Sequence, residues 1–501
     1  MTGALLQLVS TGNEGKVFIG NPQISFFKQS FLRHTNFSIE RLEVYNAGTS
    51  KLKRNSENIY DFFIDPQHGD LLYYVSLIIS LPAIYVPDGY QFRWIENLGD
   101  SIITDAKIII NGITIEHLKE PFFHVSNTLN LENNSKTVYD HLVQNLPNIN
   151  NPDIAGKYPF TSSSNSISVP GDEGYEIVNK YFTDIPTIDK QTLCIPVPFY
   201  INRINDSFIP LAILKNSKIH IQITLRPLNE LYTIGYPDTT QNYYHHQSVA
   251  ENSEKNILDF IKYGTSELKA DMSLYYHAIF LEKREVELMS SKPFTHLITT
   301  PKKLSFEGLR QTKTIKLKIK EVVDSMYILP TRSDIKERNQ WRNFGIYDHP
   351  NFDPTISLNS VNYPGLFTNW FYRSFNDVSV IDDGNIDYFR NSNIITSLDI
   401  KLDGHILENM EHPEFFYNGN KFETFKNNFL KDLIIYKFSE YPLESQPSGH
   451  FNLADVKNME LDIAFKDTKK DYQKPEYYFN ISILFMIFKT IRYEKNNVSI
   501  I

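Results

Sequence analysis

The stretch Lys218-Ile219-His220-Ile221-Gln222-Ile223-Thr224-Leu225 alternates strictly between polar and apolar side chains. Successive side chains of a β-strand point to opposite faces of the sheet, so this alternation predicts a strand with one buried face. The same period of two recurs in residues 315–320, 398–403 and 459–465. No long helical segments alternate with these strands, so the pattern favours antiparallel sheets over a parallel α/β fold.

Turn signals separate the strands. Asn111-Gly112 lies between two short isoleucine runs, and Asn-Gly readily supplies the two positive φ angles of a type I′ hairpin. Asp403-Gly404 is a second candidate of this kind, and Gln446-Pro447-Ser448-Gly449 fits a type I turn. Helical signals are few, with one short helix expected near residues 282–289. Many short strands with such turns predict an all-β sandwich or jelly roll.

The length of 501 residues predicts two domains. We expect an N-terminal arm at 1–25, a first strand-rich unit at 26–228, a linker at 229–267 and a second unit at 268–501. Polar residues dominate two further stretches, at about 119–190 and 331–393, which we interpret as long loops.

Composition limits the function. Aromatic residues make up 14% of the chain, which suits sheet surfaces. The net charge of −9 lacks the surplus of Lys and Arg that wrapping nucleic acid requires, so no direct nucleic-acid partner is expected. The single cysteine, Cys194, excludes an intramolecular disulfide and a multi-cysteine zinc site.

Targeting segments and membrane helices are not expected. Residues 1–10 lack the basic start and long apolar run of a secretory signal. The apolar run at 477–488 contains Asn480 and Ser482 and is shorter than the roughly 20 residues of a membrane helix. We interpret this run as a buried strand.

Catalytic and ligand-binding motifs fail on spacing. Residues 12–16, Gly-Asn-Glu-Gly-Lys, are too short for a phosphate loop, and Val17 replaces its Ser or Thr. His245-His246 are adjacent and point apart in regular structure, and residues 382–385 lack the spacing of a calcium loop. We therefore expect no catalytic residues, no cofactor and no metal. A glycosidase is one alternative, since β-sandwiches can carry paired catalytic carboxylates, which the sequence does not exclude. A carbohydrate-binding or receptor-binding sandwich is another.

Four ordered motifs resemble one known family. The opening reads Gly20-Asn21-Pro22-Gln23-Ile24-Ser25-Phe26-Phe27, followed by Arg33-His34-Thr35-Asn36-Phe37. It is similar to the N-terminal signature of major capsid proteins from nucleocytoplasmic large DNA viruses. Further matches are Phe92-Arg93-Trp94 with Gly99 before the Asn111-Gly112 hairpin, Pro196, Pro198 and Phe199 with Pro210, and finally Gln446, Pro447, Ser448 and Gly449.

This resemblance implies a double jelly roll, in which each chain carries two eight-stranded antiparallel β-sandwiches. It implies a non-enzymatic subunit that forms trimers of nearly hexagonal outline, which tile an icosahedral shell. Implied partners are further copies of the chain, minor capsid and penton proteins and, indirectly, an internal viral membrane. The implied location is the virion, with assembly in the host cytoplasm. A capsid-like paralogue that acts as a minor capsid, penton or scaffold protein is an alternative.

Overall fold

The computed structural model describes most of the chain. The described residues are 3–10, 12–23, 25, 33–48, 51–86, 91–130, 135–150, 186–204, 206–238, 243–248, 256–261, 268–336, 339–342, 344–345, 393–410, 412, 415–419, 422, 433–442, 444, 446–466 and 477–501. Phe26 and Phe27 of the opening motif therefore lie outside the described residues, as do residues 151–185 and 346–392 of the two long polar stretches.

Strands dominate the first half of the chain. They are β1 (Phe37–Tyr45), β2 (Lys51–Leu52), β3 (Asn58–Ile64), β4 (Leu71–Leu81), β5 (Gln91–Trp94), β6 (Ile103–Ile110), β7 (Ile113–Lys119), β8 (Gln191–Pro196), β9 (Ile219–Leu225), β10 (Tyr232–Asp238), β11 (Tyr243–Ser248), β12 (Leu268–Lys269) and β13 (Met272–Leu281).

The second half continues in the same way. Its strands are β14 (Phe294–Leu309), β15 (Thr312–Leu317), β16 (Val322–Arg332), β17 (Ile395–Leu402), β18 (His405–Met410), β19 (Ile434–Lys437), β20 (Phe451–Asn452), β21 (Met459–Phe465), β22 (Phe479–Glu494) and β23 (Asn497–Ile500).

The helices of the described residues are short. They are α1 (Gly3–Val9), α2 (Gly12–Ile19), α3 (Leu98–Ile102), α4 (Phe122–Asn130), α5 (Lys136–Leu142), α6 (Pro147–Asn150), α7 (Tyr200–Arg203) and α8 (Lys283–Ser291), with 3₁₀ turns at Leu228–Glu230, Ile257–Phe260 and Ser333–Ile335 and one π-helical turn at Phe415–Gly419.

Two eight-stranded antiparallel sandwiches form the framework. The first pairs a sheet of order β1-β13-β4-β8 with one of order β3-β9-β6-β7, and the second pairs β14-β22-β16-β19 with β15-β21-β17-β18. When the eight strands of each sandwich are counted along the chain, both have the order 1-8-3-6 opposite 2-7-4-5. The predicted all-β fold of two eight-stranded sandwiches is confirmed, and both are built on one plan.

The predicted strands and turns are present. The alternating stretch that ends at Leu225 forms β9, in which the isoleucines are buried and His220 and Gln222 are partly exposed, whereas Thr224 is buried as well. Asn111 and Gly112 have φ angles of 51° and 83°, which confirms the β6–β7 hairpin turn. Asp403 and Gly404, with φ angles of 48° and 84°, connect β17 to β18 in the same way.

The first sandwich includes strands from both sides of residues 229–267. In that segment β10 pairs with β5, and after it β13 lies between β1 and β4. The strand β13, which ends at Leu281, thus belongs to the same sheet as β1 and β4. Composition indicates where turns concentrate, but it does not show which strands pair. Here β13, which completes the first sheet, follows the turn-rich segment 229–267.

Part of the first long polar stretch is helical. The helices α4, α5 and α6 occupy residues 122–130, 136–142 and 147–150, where the Asn-rich and Ser-rich composition predicts a loop. Phe122, Phe123, Val125 and Leu129 of α4 are all buried, so packing against the sandwiches stabilises a helix whose sequence has weak helical propensity.

Candidate functional site: the junction between the sandwiches

A buried ion pair lies where the two sandwiches meet. Arg203 of α7 donates to Glu116 Oε1 of β7 at 2.7 Å, to the Pro198 carbonyl at 2.7 Å and to the Thr299 carbonyl of β14 at 2.8 Å. The Tyr200 amide donates to the other oxygen of Glu116 at 2.7 Å. One guanidinium thus joins three segments, and Thr299 belongs to the second sandwich.

The buried charge of Glu116 depends on Arg203 and the Tyr200 amide for its stabilisation. The side chains of Arg203 and Glu116 are 8% and 0% exposed. Burial raises the pKa of Glu116, and the charge of Arg203 and the amide of Tyr200 oppose that rise. A buried carboxylate without its cation is strongly unfavourable, so Glu116 holds Arg203 in place, and the bond from Arg203 to the Thr299 carbonyl then links this pair to the second sandwich.

Aromatic rings extend the junction. The Tyr200 and Tyr493 hydroxyls are 3.1 Å apart, and both side chains are fully buried. Ser207 Oγ lies 3.2 Å from His296 Nε2, and the Phe294 ring stacks on the Phe208 ring at 5.4 Å. The largest hydrophobic cluster contains residues of both sandwiches, so the junction is a continuous core.

The Asn-Gly hairpin contacts the C-terminal hairpin. Asn111 Nδ2 donates to the Asn496 carbonyl at 2.9 Å, and Ser217 Oγ donates to the same carbonyl at 2.8 Å. The Asn496 side chain accepts from the Asn216 amide at 3.0 Å. Asn111 therefore both forms the turn and binds the second sandwich.

The Phe92-Arg93-Trp94 motif lies beside Tyr232, whose carbonyl accepts a hydrogen bond from Asn339 in a loop of the second half. Phe92 and Trp94 are fully buried, and the Phe92 ring stacks on Tyr232 at 5.2 Å. Trp341 Nε1 donates to the Glu230 carbonyl at 3.0 Å, and the Arg226 guanidinium lies 3.5 Å from the Trp341 ring centroid. Trp94 therefore packs in the core.

Gly99 is required by close packing. It lies in α3, where an added Cβ would lie 2.6 Å from Val143 Cβ. Beside it, Ser101 Oγ is 3.4 Å from His124 Nε2, and His124 Nδ1 is 3.6 Å from Asp100 Oδ2. Burial lowers the pKa of His124. All three polar residues are at most 3% exposed, so this Ser-His-Asp group is closed to a substrate and is structural.

The other motif residues lie elsewhere. Gly20, Asn21 and Pro22 follow α2 and are exposed, as are Arg33 and His34 before β1. Pro196, Pro198 and Phe199 lead into α7 and therefore position Arg203, whereas Pro210 lies beyond it and is buried. Motif similarity, which extends to Tyr200, thus located the segment at the junction. It missed Glu116, Arg203, Tyr493 and Asn496, because a sequence motif carries no information on contacts between the two sandwiches.

The predicted type I turn at 446–449 is wrong. Ser448 Oγ accepts from the Tyr441 amide at 2.7 Å, which holds the segment along the preceding loop. A Cβ at Gly449 would lie 3.0 Å from Ser439 Cα, and its φ of 154° also disfavours side chains. Close approach to the Ser439 backbone, rather than a turn, explains this glycine.

Asp324 of β16 gives the second sandwich a pH dependence. Burial raises the pKa of Asp324 to about 6, well above the usual range of an aspartate. The folded state therefore binds this proton more tightly than the unfolded chain, so stability is greatest at low pH and falls between about pH 4 and pH 6. We expect Asp324→Asn to exceed the wild type at pH 8 by on the order of 2 kcal/mol in unfolding free energy. In urea unfolding, the difference in unfolding free energy between Asp324→Asn and the wild type should be smaller at pH 4.5 than at pH 8. Identical unfolding curves of the two proteins at pH 8 would contradict the raised pKa of Asp324.

The part of the chain that the structure describes lacks two features that would indicate another function. No group of three or more His, Cys, Asp or Glu side chains is arranged to hold a metal ion there. None of the helices described combines the length and apolar character needed to cross a membrane. Cys194 is half-buried on β8, and burial raises the pKa of its thiol.

Comparisons with known proteins agree with the fold. The family model for the major capsid protein N-terminus matches residues 25–282. Capsid protein 1 of Acanthamoeba polyphaga mimivirus is 27% identical over 316 residues, or 62% of this chain and 44% of that protein. The major capsid protein of Phaeocystis pouchetii virus is 26% identical over 324 residues, or 64% of this chain and 56% of that protein. The chain thus spans about half the length of these two relatives.

Solved structures share the double jelly roll. PBCV-1 VP54, fitted into a reconstruction of the virophage Sputnik, superposes with a TM-score of 0.66 at 15% identity and covers 95% of this chain and 99% of that one. The Faustovirus major capsid protein superposes with a TM-score of 0.60 at 12% identity, covering 95% and 93%. Since the family model matches just over half of its 501 residues, the chain belongs to the family of major capsid proteins.

Proposed function

We propose that this protein is a structural, non-catalytic subunit of the capsid of a large DNA virus and that it self-assembles as a trimer. The observation that carries the proposal is the repeated strand order of the two sandwiches, held together by a buried junction. Three such chains present six similar units, so a three-fold particle can fill a six-fold position of an icosahedral lattice. The relatives named capsid proteins support this role.

The finer partners follow from the same proposal. The trimers would associate with each other and with minor capsid and penton proteins, and the N-terminal arm would lie toward those proteins and an internal membrane. The proposed location is the virion, after assembly in the host cytoplasm. The motif residues would act through folding and contacts between subunits, without a cofactor.

The division of the chain is also proposed. The first sandwich would end with β13 at Leu281 and the second would begin with β14 at Phe294. The connection is α8, which has no buried residues and leads directly from one sandwich to the other.

The test is the solution mass of the purified chain by light scattering behind a sizing column. A trimer has three times the 58.3 kDa of one chain, about 175 kDa. A stable trimer supports the proposal, and negative-stain images should then show nearly hexagonal particles. A clean monomer at high protein concentration would overturn the proposed capsomer.

Deletion of residues 1–20 should separate trimer formation from shell assembly. No side chain of α1 or α2 is buried, and Leu8, Val17 and Phe18 are 75%, 79% and 85% exposed. Because these helices contribute nothing to the core, we expect an unchanged melting temperature and intact trimers, with loss of shells on co-expression with the other capsid proteins. Shells of normal yield would exclude a docking role for the arm.

A further inference from the structure

The turn between the fourth and fifth strands has the same geometry in both sandwiches. Asn111-Gly112 connects β6 to β7 with φ angles of 51° and 83°, and Asp403-Gly404 connects β17 to β18 with φ angles of 48° and 84°. In each sandwich the first turn residue accepts a hydrogen bond from the residue before the seventh strand. The Lys218 amide donates to Asn111 Oδ1 at 2.9 Å, and the Asn458 amide donates to Asp403 Oδ1 at 2.8 Å. Both an asparagine and an aspartate thus fit this turn.

The two turn residues differ in what their side chains donate. The Asn111 amide group uses both of its hydrogens, since Nδ2 donates to Ser217 Oγ at 3.2 Å and to the Asn496 carbonyl of the second sandwich at 2.9 Å. A carboxylate has no hydrogen to donate, and the oxygens of Asp403 accept from backbone amides of its own sandwich. The contact with the second sandwich, and not the turn, is therefore what requires an asparagine at position 111.

The Asn-Gly sequence also has a characteristic reactivity. Asparagine loses ammonia most readily before glycine, because glycine has no Cβ to shield its backbone nitrogen. Asn111 and Gly112 are exposed, and a Cβ added to Gly112 would have no heavy atom within 4 Å. In this reaction the Gly112 nitrogen attacks Asn111 Cγ, a succinimide ring closes and the side-chain nitrogen leaves as ammonia. Water then opens the ring and gives aspartate or isoaspartate.

The closed junction opposes this reaction. Asn111 Cγ must turn toward the Gly112 nitrogen, so the side chain must first leave the Lys218 amide, the Ser217 hydroxyl and the Asn496 carbonyl. The Asn496 residue is itself held on the first sandwich, because Ser217 Oγ donates to its carbonyl at 2.8 Å and its own amide donates to the Ile213 carbonyl at 3.0 Å. The Asn111 side chain is therefore freed when the β6–β7 and β22–β23 turns separate.

We propose that Asn111 is a site of spontaneous deamidation, which the closed junction protects and whose conversion prevents this contact from forming again. The aspartate product fits the turn, as Asp403 does, but it directs a carboxylate at the Asn496 carbonyl, so that two acceptors face each other without a hydrogen between them. The isoaspartate product also inserts a carbon atom into the backbone of a two-residue turn. Because ammonia is lost, a transient separation of the two turns becomes a lasting one. This inference concerns the single chain and is independent of the proposed assembly.

Asp403→Asn provides a matched Asn-Gly turn in the same molecule, at a position whose described contacts all lie within the second sandwich. We expect position 403 of this variant to deamidate several-fold faster than position 111 while the protein is folded. Peptide mass spectrometry during incubation in a mildly alkaline buffer measures both rates. In concentrated urea, where the junction and both turns are lost, the two rates should become similar. Equal rates in the folded protein would overturn the protection, and an unreactive position 111 in urea would overturn the site itself.

Asn111→Asp tests the consequence of the reaction. We expect its urea midpoint to lie below that of the wild type, whereas the midpoint of Asp403→Asn should match the wild type. Wild-type protein that is deamidated in urea and then refolded should show the lowered midpoint of Asn111→Asp. Equal midpoints of Asn111→Asp and the wild type would show that the junction tolerates the product, and the proposed consequence would be wrong. The deamidation rates in Asp403→Asn test the site whether or not Asn111→Asp folds.

Discussion

Replacement of Arg203 by Ala should lower the free energy of unfolding by about 3–5 kcal/mol, because it leaves Glu116 buried without its cation. The Glu116 side chain is fully buried, and Arg203 is its ion-pair partner at 2.7 Å. The guanidinium also donates to the Pro198 and Thr299 carbonyls, which lose these bonds in the variant. Urea unfolding at neutral pH measures the difference.

Two controls separate the buried charge from a general loss of contacts. Arg492→Ala removes an arginine from an ion pair with Glu494, whose side chains are 44% and 48% exposed, and should change stability by at most about 1 kcal/mol. Glu116→Gln combined with Arg203→Met removes both charges and should recover part of the loss. Equal effects of Arg203→Ala and Arg492→Ala would contradict the assigned role of the junction.

The sequence predicts those strands and turns that depend on residues close together in the chain. The period of two in residues 218–225 locates β9 and its buried face, and Asn111-Gly112 locates a hairpin, because both depend on neighbours along the chain. The helix expected near 282–289 is α8. By contrast, the sequence predicts a loop where α4 forms, because the burial of its apolar side chains comes from the two sandwiches and not from its own polar surroundings.

The junction was not predictable for the same reason. Glu116 alternates with Ile115 in β7 and reads as a solvent-facing residue, yet the second sandwich covers it. Similarly, Arg203 has no partner within five residues except the Pro198 carbonyl. A sequence pattern distinguishes the two faces of a strand, but it does not show when a second domain buries the polar one.

Trp94→Ala should be the most damaging core substitution among the motif residues, with a loss of about 3–5 kcal/mol in unfolding free energy. The side chain is fully buried, and its ring lies edge-on to the Phe92 ring at 5.3 Å and to the Tyr232 ring at 6.4 Å. Truncation removes these contacts and leaves a cavity among the buried rings around β5.

A matched substitution tests whether volume or the indole N–H dominates. Trp94 Nε1 has no hydrogen-bond acceptor among the described residues, and a buried donor without a partner is unfavourable. Trp94→Phe removes that donor while it keeps an aromatic ring, so we expect a loss of no more than about 1.5 kcal/mol. Phe63→Ala, at a side chain that is 54% exposed on β3, controls for loss of a ring at the surface. If Trp94→Phe were as destabilising as Trp94→Ala in urea unfolding, the indole nitrogen would have to hold a bound partner such as a buried water, and the packing explanation would be wrong.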